Sequence, residues 1–261
     1  MWDRVLHRGA LGFSESYILG EVSCSEMDIF LEIMILNRDC TSDMGNFLSS
    51  ITSQIKAWFR SSNSYEIALN NVRMHYDLSN EIFEAFLSPD MTYSCPKWQL
   101  GQAGLCDTLE QAQLRKIRDI IAEAKLKQSD YVLEIGTGWG SFAIEAVRRT
   151  GCKILSITLS EAQKTMAEAR VKEAGLQNNI TILLKDYREL SGSQFQFDKI
   201  VSIEMLEHVG KEHLTHYFSC IHKLLKPKQG IAVFQASTIP ETRYSSYCRG
   251  TDFIREYARI A

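Results

Sequence analysis

The residues best suited to chemistry stand together at Glu134-Ile135-Gly136-Thr137-Gly138-Trp139-Gly140, between an apolar strand-like run and a helix-like one. Glycine permits positive φ and lets the main chain come close to a ligand, and the start of the following helix supplies N–H groups with no partner of their own. A nucleotide-type ligand can lie against such bare main chain. Two kinds compete for it. A nicotinamide site would call for Gly-x-Gly-x-x-Gly and an acidic residue about 20 positions on for the ribose hydroxyl. Here the spacing is Gly-x-Gly-x-Gly, and the next strand runs out in Thr158-Leu159-Ser160 with no carboxylate before Glu161. Hydride chemistry loses ground, and the bland alternative is a tight strand-to-helix turn with no ligand.

Other reactive side chains are less telling by themselves. Asp186 follows an apolar run and reads equally as a solvated loop carboxylate, while Glu207-His208 reads on the residues alone as a structural pair at a helix start. The seven cysteines (24, 40, 95, 106, 152, 220 and 248) include no Cys-x-x-Cys pair and are odd in number. Neither a metal site nor a closed disulfide framework is expected from them, and a reducing, cytoplasmic compartment fits. With 29 Lys and Arg against 32 Asp and Glu, the net charge of -3 lacks the concentrated basic excess of a nucleic-acid binder.

The elements that must hold the glycine loop follow from pattern. From Tyr131 onward strand and helix signals alternate at the spacing of parallel β-α-β units, which makes this an α/β chain. Strands are expected at Tyr131–Ile135, Lys153–Ile157, Ile180–Leu184, Lys199–Ile203 and Ile231–Gln235, with helices at Ser141–Arg149, Glu161–Ala174 and His213–Leu225. Before them, residues 75–127 read as helical segments around the turn Ser88-Pro89-Asp90, with Asp107-Thr108 as a cap for Leu109–Ala124. This stretch would cover the mouth of the site. Residues 1–71 read as an accessory region whose apolar segment Met27–Leu36 suits a helix, followed by the polar spacer Asn37–Met44. At 261 residues and 45% hydrophobic, the chain can bury one substantial core and a smaller appendage. No apolar run reaches the roughly 18 to 20 residues that cross a bilayer.

A series of blocks in fixed order then resembles the cyclopropane-fatty-acyl-phospholipid synthase family. These are His75-Tyr76-Asp77-Leu78-Ser79-Asn80, Phe83, Phe86-Leu87, Met91-Thr92-Tyr93-Ser94-Cys95 and Thr108-Leu109-Glu110-Gln111-Ala112-Gln113. After the glycine loop come Thr158-Leu159-Ser160-Glu161-Ala162-Gln163, Asp186-Tyr187-Arg188 and Val201-Ser202-Ile203-Glu204-Met205-Leu206-Glu207-His208-Val209-Gly210. The resemblance covers about residues 75–257, and residues 9–20 look more faintly like an N-terminal extension of longer members.

The resemblance implies a Rossmann-like class I methyltransferase sheet with helices on both faces, over residues 72–261, and S-adenosylmethionine as cofactor. It places Tyr93, Ser94, Glu134, Gly136, Gly138, Gly140, Thr158, Leu159, Gln163, Tyr187 and Arg188 around that cofactor. Gln163 would do polar work at its ribose or amino-acid part, and Asp186 would face the adenine edge. The implied reaction is attack of a cis double bond in a phospholipid acyl chain on the sulfonium methyl, then proton loss from the resulting cation. In the family the base is a bicarbonate ion held by a glutamate, by main chain near a Tyr-Ser-Cys segment and by groups on a later strand. Glu207 and Cys95 match the first two, and Gln235 stands where many bacterial members carry a histidine, as plant-type members resemble.

The family continues past Tyr257 with a Pro-Gly-Gly turn, two further strands and a catalytic tyrosine, whereas this sequence reads Ala258-Arg259-Ile260-Ala261. The expectation is a sheet without its last strands, with a strand edge left open and activity impaired. With no spanning helix, the acyl chain would be reached peripherally at the membrane surface, through aromatic groups at Trp58-Phe59 and in the turn Tyr93–Trp98. Two other readings stay open: a small-molecule amine N-methyltransferase, since plant alkaloid enzymes resemble the same Tyr-Ser-Cys scaffold, and a non-catalytic cofactor-binding protein. Cyclopropane, methyl-branched and methylene products all arise from one cation.

Overall fold

The computed structural model describes residues 2–37, 80–101, 104–105, 107–192, 195–249, 253 and 256. Trp58-Phe59, the block His75–Ser79, Cys40, Cys106 and most of the segment after Arg249 lie outside the described residues. In chain order the helices are α1 (Trp2–Ile18), α2 (Met27–Leu36), α3 (Asn80–Phe86), α4 (Leu109–Glu123), α5 (Ser141–Thr150), α6 (Glu161–Glu173), α7 (Tyr187–Leu190), α8 (Leu214–Leu224) and α9 (Glu241–Arg249). The strands are β1 (Leu100–Gly101), β2 (Gly104–Leu105), β3 (Tyr131–Ile135), β4 (Lys153–Thr158), β5 (Ile180–Leu184), β6 (Lys199–Ile203) and β7 (Ile231–Gln235).

The chain divides into two units, residues 1–62 with 238–260 and residues 63–237 with 261. In the first, α1 is kinked at Gly9 and its Phe13 ring stacks on Phe30 of α2 at 4.9 Å. The second carries a five-stranded parallel sheet in the order β5-β4-β3-β6-β7. All five strands fall where the apolar runs predict them, β4 running one residue further to Thr158.

Both faces of this sheet are covered, and the sequence shows why. Side chains alternate along a strand, so runs that are apolar at every position bury two faces at once. Val132, Ile154, Ile180, Ile182 and Val201 pack under α4, α5 and α6. Leu133, Ile135, Leu155, Ile157 and Ile200 point the other way, into a core shared with Tyr217, Ile221 and Leu224 of α8. In the ladder Leu133 lies opposite both Leu155 and Ile200, at the middle of the sheet. The edges are β5 and β7 among the described residues, and β7 is half-buried along its length.

Of the two residues expected to cap α4, Thr108 does so, in a capping box with Gln111. Asp107 instead accepts from Arg115 Nη2 at 2.7 Å and from the Gln99 amide at 2.6 Å, which fastens the preceding loop to the helix. No helix among the described residues is long and apolar enough to cross a membrane. Because Leu133 is fully buried between strands on both sides, Leu133→Ala is expected to lower the unfolding free energy by about 2–5 kcal/mol in urea titrations. A loss under about 1 kcal/mol would mean that this strand is not the centre of the core.

Candidate active site

A sheet of this order changes direction between β3 and β6. The connection from β3 leads toward β4 and that from β6 toward β7, so a crevice opens at the carboxyl ends of the central pair. The glycine loop leaves β3 at that point. Gly136, Gly138 and Gly140 all have positive φ (94°, 52° and 86°), and the amides of Gly136 and Thr137 bond to the Ile157 carbonyl at 3.0 and 3.1 Å. The loop thus arches over the end of β4. A Cβ on Gly136 would come within 2.8 Å of Met205 Cγ, whereas one on Gly138 would meet nothing within 4 Å. Gly140 is set back against α6, facing the Ala167 Cβ at 3.4 Å.

Opposite the loop, residues 90–95 form the second wall. Ser88 and Thr92 both donate to the Asp90 carboxylate, closing a turn. Arg170 of α6 reaches the carbonyls of Asp90 at 2.9 Å and Trp139 at 2.6 Å, so one guanidinium joins this turn to the glycine loop. The Gln113 amide of α4 donates to the Ser94 carbonyl at 2.6 Å. Between the walls lies a narrow, open cleft lined by Tyr93, Ser94, Glu134, Gly136, Gly138 and Lys116 among others. Trp139 also turns a face to the cleft, but its ring packs on Phe83 at 4.7 Å and its Nε1 donates to Asn80 Oδ1 at 2.9 Å.

Two carboxyl groups in this region are shifted by burial. Glu134 is pushed up to about 8, with Ser156 Oγ donating to its Oε2 at 2.5 Å. Glu204, directly after β6, is raised above the usual carboxylate range by burial and by the neighbouring Glu207. The Cys95 amide and Lys116 offset that rise. Lys116, drawn down to about 8 by burial, also donates to Ser94 Oγ.

The sequence reading brought Glu207, Cys95 and Gln235 together. The structure brings Cys95 and Gln235 together on a different glutamate. Glu204 Oε1 accepts from the Cys95 amide at 2.7 Å and from Gln235 Nε2 at 2.8 Å. Glu207 Oε1 accepts instead from the Ser237 amide at 2.5 Å, and its Oε2 is buried without a hydrogen-bond partner among the described residues. A bicarbonate ion does not fit this arrangement. Both donors expected to hold it are spent on Glu204, which leaves at Glu207 Oε2 and Gln235 Oε1 only acceptors, able to take the ion's one O–H but not to offset its charge.

The remaining expected cofactor residues stand along the same sheet edge, outside the cleft. At the end of β4, Thr158 Oγ1 donates to Gln163 Oε1 at 2.8 Å, and Leu159 follows in the turn that Ser160 caps. After β5, Asp186 is buried rather than solvated and is held by Arg188 through Nε at 2.8 Å and Nη2 at 2.7 Å. The Tyr187 ring belongs to the core, edge-on to Tyr217 at 4.9 Å, with burial pushing its hydroxyl up to about 12. Lys116 and Glu204 escaped the sequence reading. A lysine on the buried stripe Ala112, Gln113, Ile117, Ile120 and Ile121 of α4 was the available signal for the first. For the second it was an acidic residue directly beyond a buried strand.

The sequence profile of the mycolic acid cyclopropane synthetase family matches residues 63–258. The tuberculostearic acid methyltransferase UfaA1 of Mycobacterium tuberculosis (strain H37Rv) is 38% identical over 259 residues, covering 97% of this chain and 59% of that protein. The cyclopropane-fatty-acyl-phospholipid synthase of Escherichia coli (strain K12) is 34% identical over 237 residues, covering 87% and 56%. This chain therefore spans a little under three fifths of the length of these relatives. The crystal structure of mycolic acid cyclopropane synthase CmaA1 with SAH and CTAB superposes with a TM-score of 0.57 at 31% identity, covering 64% of this chain and 55% of that one. Coclaurine N-methyltransferase bound to N-methylheliamine and SAH shares the fold alone, at a TM-score of 0.54 and 18% identity over 72% of this chain and 57% of that one.

Between the ordinary 4.5 and its folded value of about 8, the Glu134 carboxyl keeps a proton that the unfolded chain has released. Unfolding free energy therefore falls as pH rises through that window. Glu134→Gln removes this slope, so denaturant titrations at about pH 5 and about pH 8 should show the variant gaining on the parent at the higher pH. A constant difference would mean that the carboxyl is already ionised in the fold.

Proposed function

Because the chain belongs to the mycolic acid cyclopropane synthetase family, we propose that it transfers the methyl group of S-adenosylmethionine to the cis double bond of an unsaturated phospholipid acyl chain. The observation that carries this reading is the cleft at the switch point, where bare glycine main chain faces Tyr93 and Ser94 with Glu134 beneath. When bound, S-adenosylmethionine supplies an electrophilic methyl on sulfur.

The chain's own part is binding and orientation. Glu134 offers a buried carboxyl to the cofactor's ammonium, and Lys116 offers a cation to its carboxylate. Thr158, Leu159 and Gln163 at the end of β4, and then Asp186 and Arg188 after β5, would be met in turn by a ribose and a base lying across the strand ends. Gly138 leaves the cofactor room, since nothing in the protein lies within 4 Å of where a side chain would begin. The exposed rings of Tyr93 and Trp98 suit contact with a lipid surface approached from water. The product is an acyl chain carrying one added carbon, as a ring or as a branch, which accords with relatives named as a cyclopropane synthase and as a tuberculostearic acid methyltransferase.

The test supplies methyl-labelled S-adenosylmethionine with vesicles of a cis-monounsaturated phospholipid in one arm and a tertiary-amine precursor in the other. Label in the hydrolysed acyl chains is expected, and label in the amine alone would refute the lipid reading. Gly138→Asp is expected to fold with a loss of about 1–2 kcal/mol, because its φ of 52° strains any side chain although its Cβ meets no neighbour. Calorimetric titration with SAH should then show no binding. Retained affinity would put the cofactor elsewhere.

A further inference from the structure

The donors that a bound anion would use are already in the hands of a carboxylate. Glu204 sits at the end of β6 with φ of 49°, a left-handed conformation that glutamate rarely adopts and that buried sites tolerate where geometry demands it. That turn of the main chain lets the side chain reach both the Cys95 amide, 109 positions away in sequence, and Gln235 Nε2 on the neighbouring strand. Both bonds go to Oε1, and no hydrogen bond to Oε2 is found among the described residues.

We propose that Glu204 is the base of the reaction, a carboxylate supplied by the chain in the seat that a bicarbonate ion would otherwise take. This rests on the lipid methyl-transfer reading above. In the first step the π pair of the double bond forms a bond to the methyl carbon while the C–S pair departs with sulfur. In the second, Glu204 Oε2 takes a proton from the added carbon, and the released C–H pair closes the third side of the ring. The protonated Glu204 then returns its proton to water, so that one alkene and one sulfonium give a cyclopropane, a thioether and a proton.

The surroundings suit that task. Lys116 from α4, the Cys95 amide and Gln235 from β7 favour the charged form, while Glu207 and burial oppose it, which leaves a carboxylate more basic than one in water. Placing a second anion beside Glu204 and Glu207 would gather three like charges in a half-buried site with its donors spent.

The experiment compares the parent chain with Glu204→Gln and with Glu204→Gly, the latter suited to the positive φ. Turnover on lipid vesicles is expected to fall about 10²–10⁴-fold in Glu204→Gln, with affinity for SAH unchanged. Added formate or bicarbonate should restore Glu204→Gly, and the parent should run at one rate in carbon-dioxide-free buffer with and without bicarbonate. A parent whose rate rises with bicarbonate, or a Glu204→Gln chain at full rate, overturns the proposal. A second readout needs no turnover: the line width of 13C-bicarbonate in the presence of SAH should broaden with Glu204→Gly and stay sharp with the parent. Broadening by the parent overturns the assignment of Glu204 whatever the substrate. Absence of any lipid product together with the expected line widths sinks the methyl-transfer reading alone.

Discussion

Everything at the site depends on one geometrical constraint, the parting of two neighbouring parallel strands whose connections leave in opposite directions. Between β3 and β6 no connecting segment can close over the strand ends, and the crevice this leaves is where main chain and carboxylates meet. Glu134 ends one of these strands from within and Glu204 follows the other. Each is drawn into a low-dielectric setting by the same buried ladder that stabilises the sheet, so the packing that stabilises the fold also sets the basicity of the site.

The charges around the crevice are balanced locally rather than across the molecule. Lys116 lies on the buried stripe of its helix, where desolvation weakens its hold on its proton, and the nearby Glu204 and Asp90 restore part of that hold. On the outer part of the strand edge, Asp186 and Arg188 satisfy one another within a single turn. Positive and negative groups are thus paired over a few residues at the rim, while toward β6 the balance tips to excess carboxylate around one lysine.

How far the sequence disclosed this can be judged from particular residues. The five strands were legible because burial on both faces makes nearly every position apolar, and Gly136 and Gly138 were legible because only glycine takes those angles at little cost. Cys95 and Gln235 are placed by resemblance beside Glu207, and in the structure the Cys95 amide and the Gln235 side chain share Glu204 Oε1 as acceptor. Two glutamates three positions apart cannot be told apart by type. The choice between them was made by a left-handed residue and by a contact spanning 109 positions, neither of which has a local sequence signal. Tyr187, expected beside the cofactor, has its ring in the core, since an aromatic beside a polar turn packs equally well there.

The guanidinium of Arg170 binds the carbonyls of Asp90 and Trp139 at once. The glycine loop and the segment that carries Cys95 toward Glu204 are therefore clamped as one piece, not two hinged ones, so that a shift in either is felt by the other.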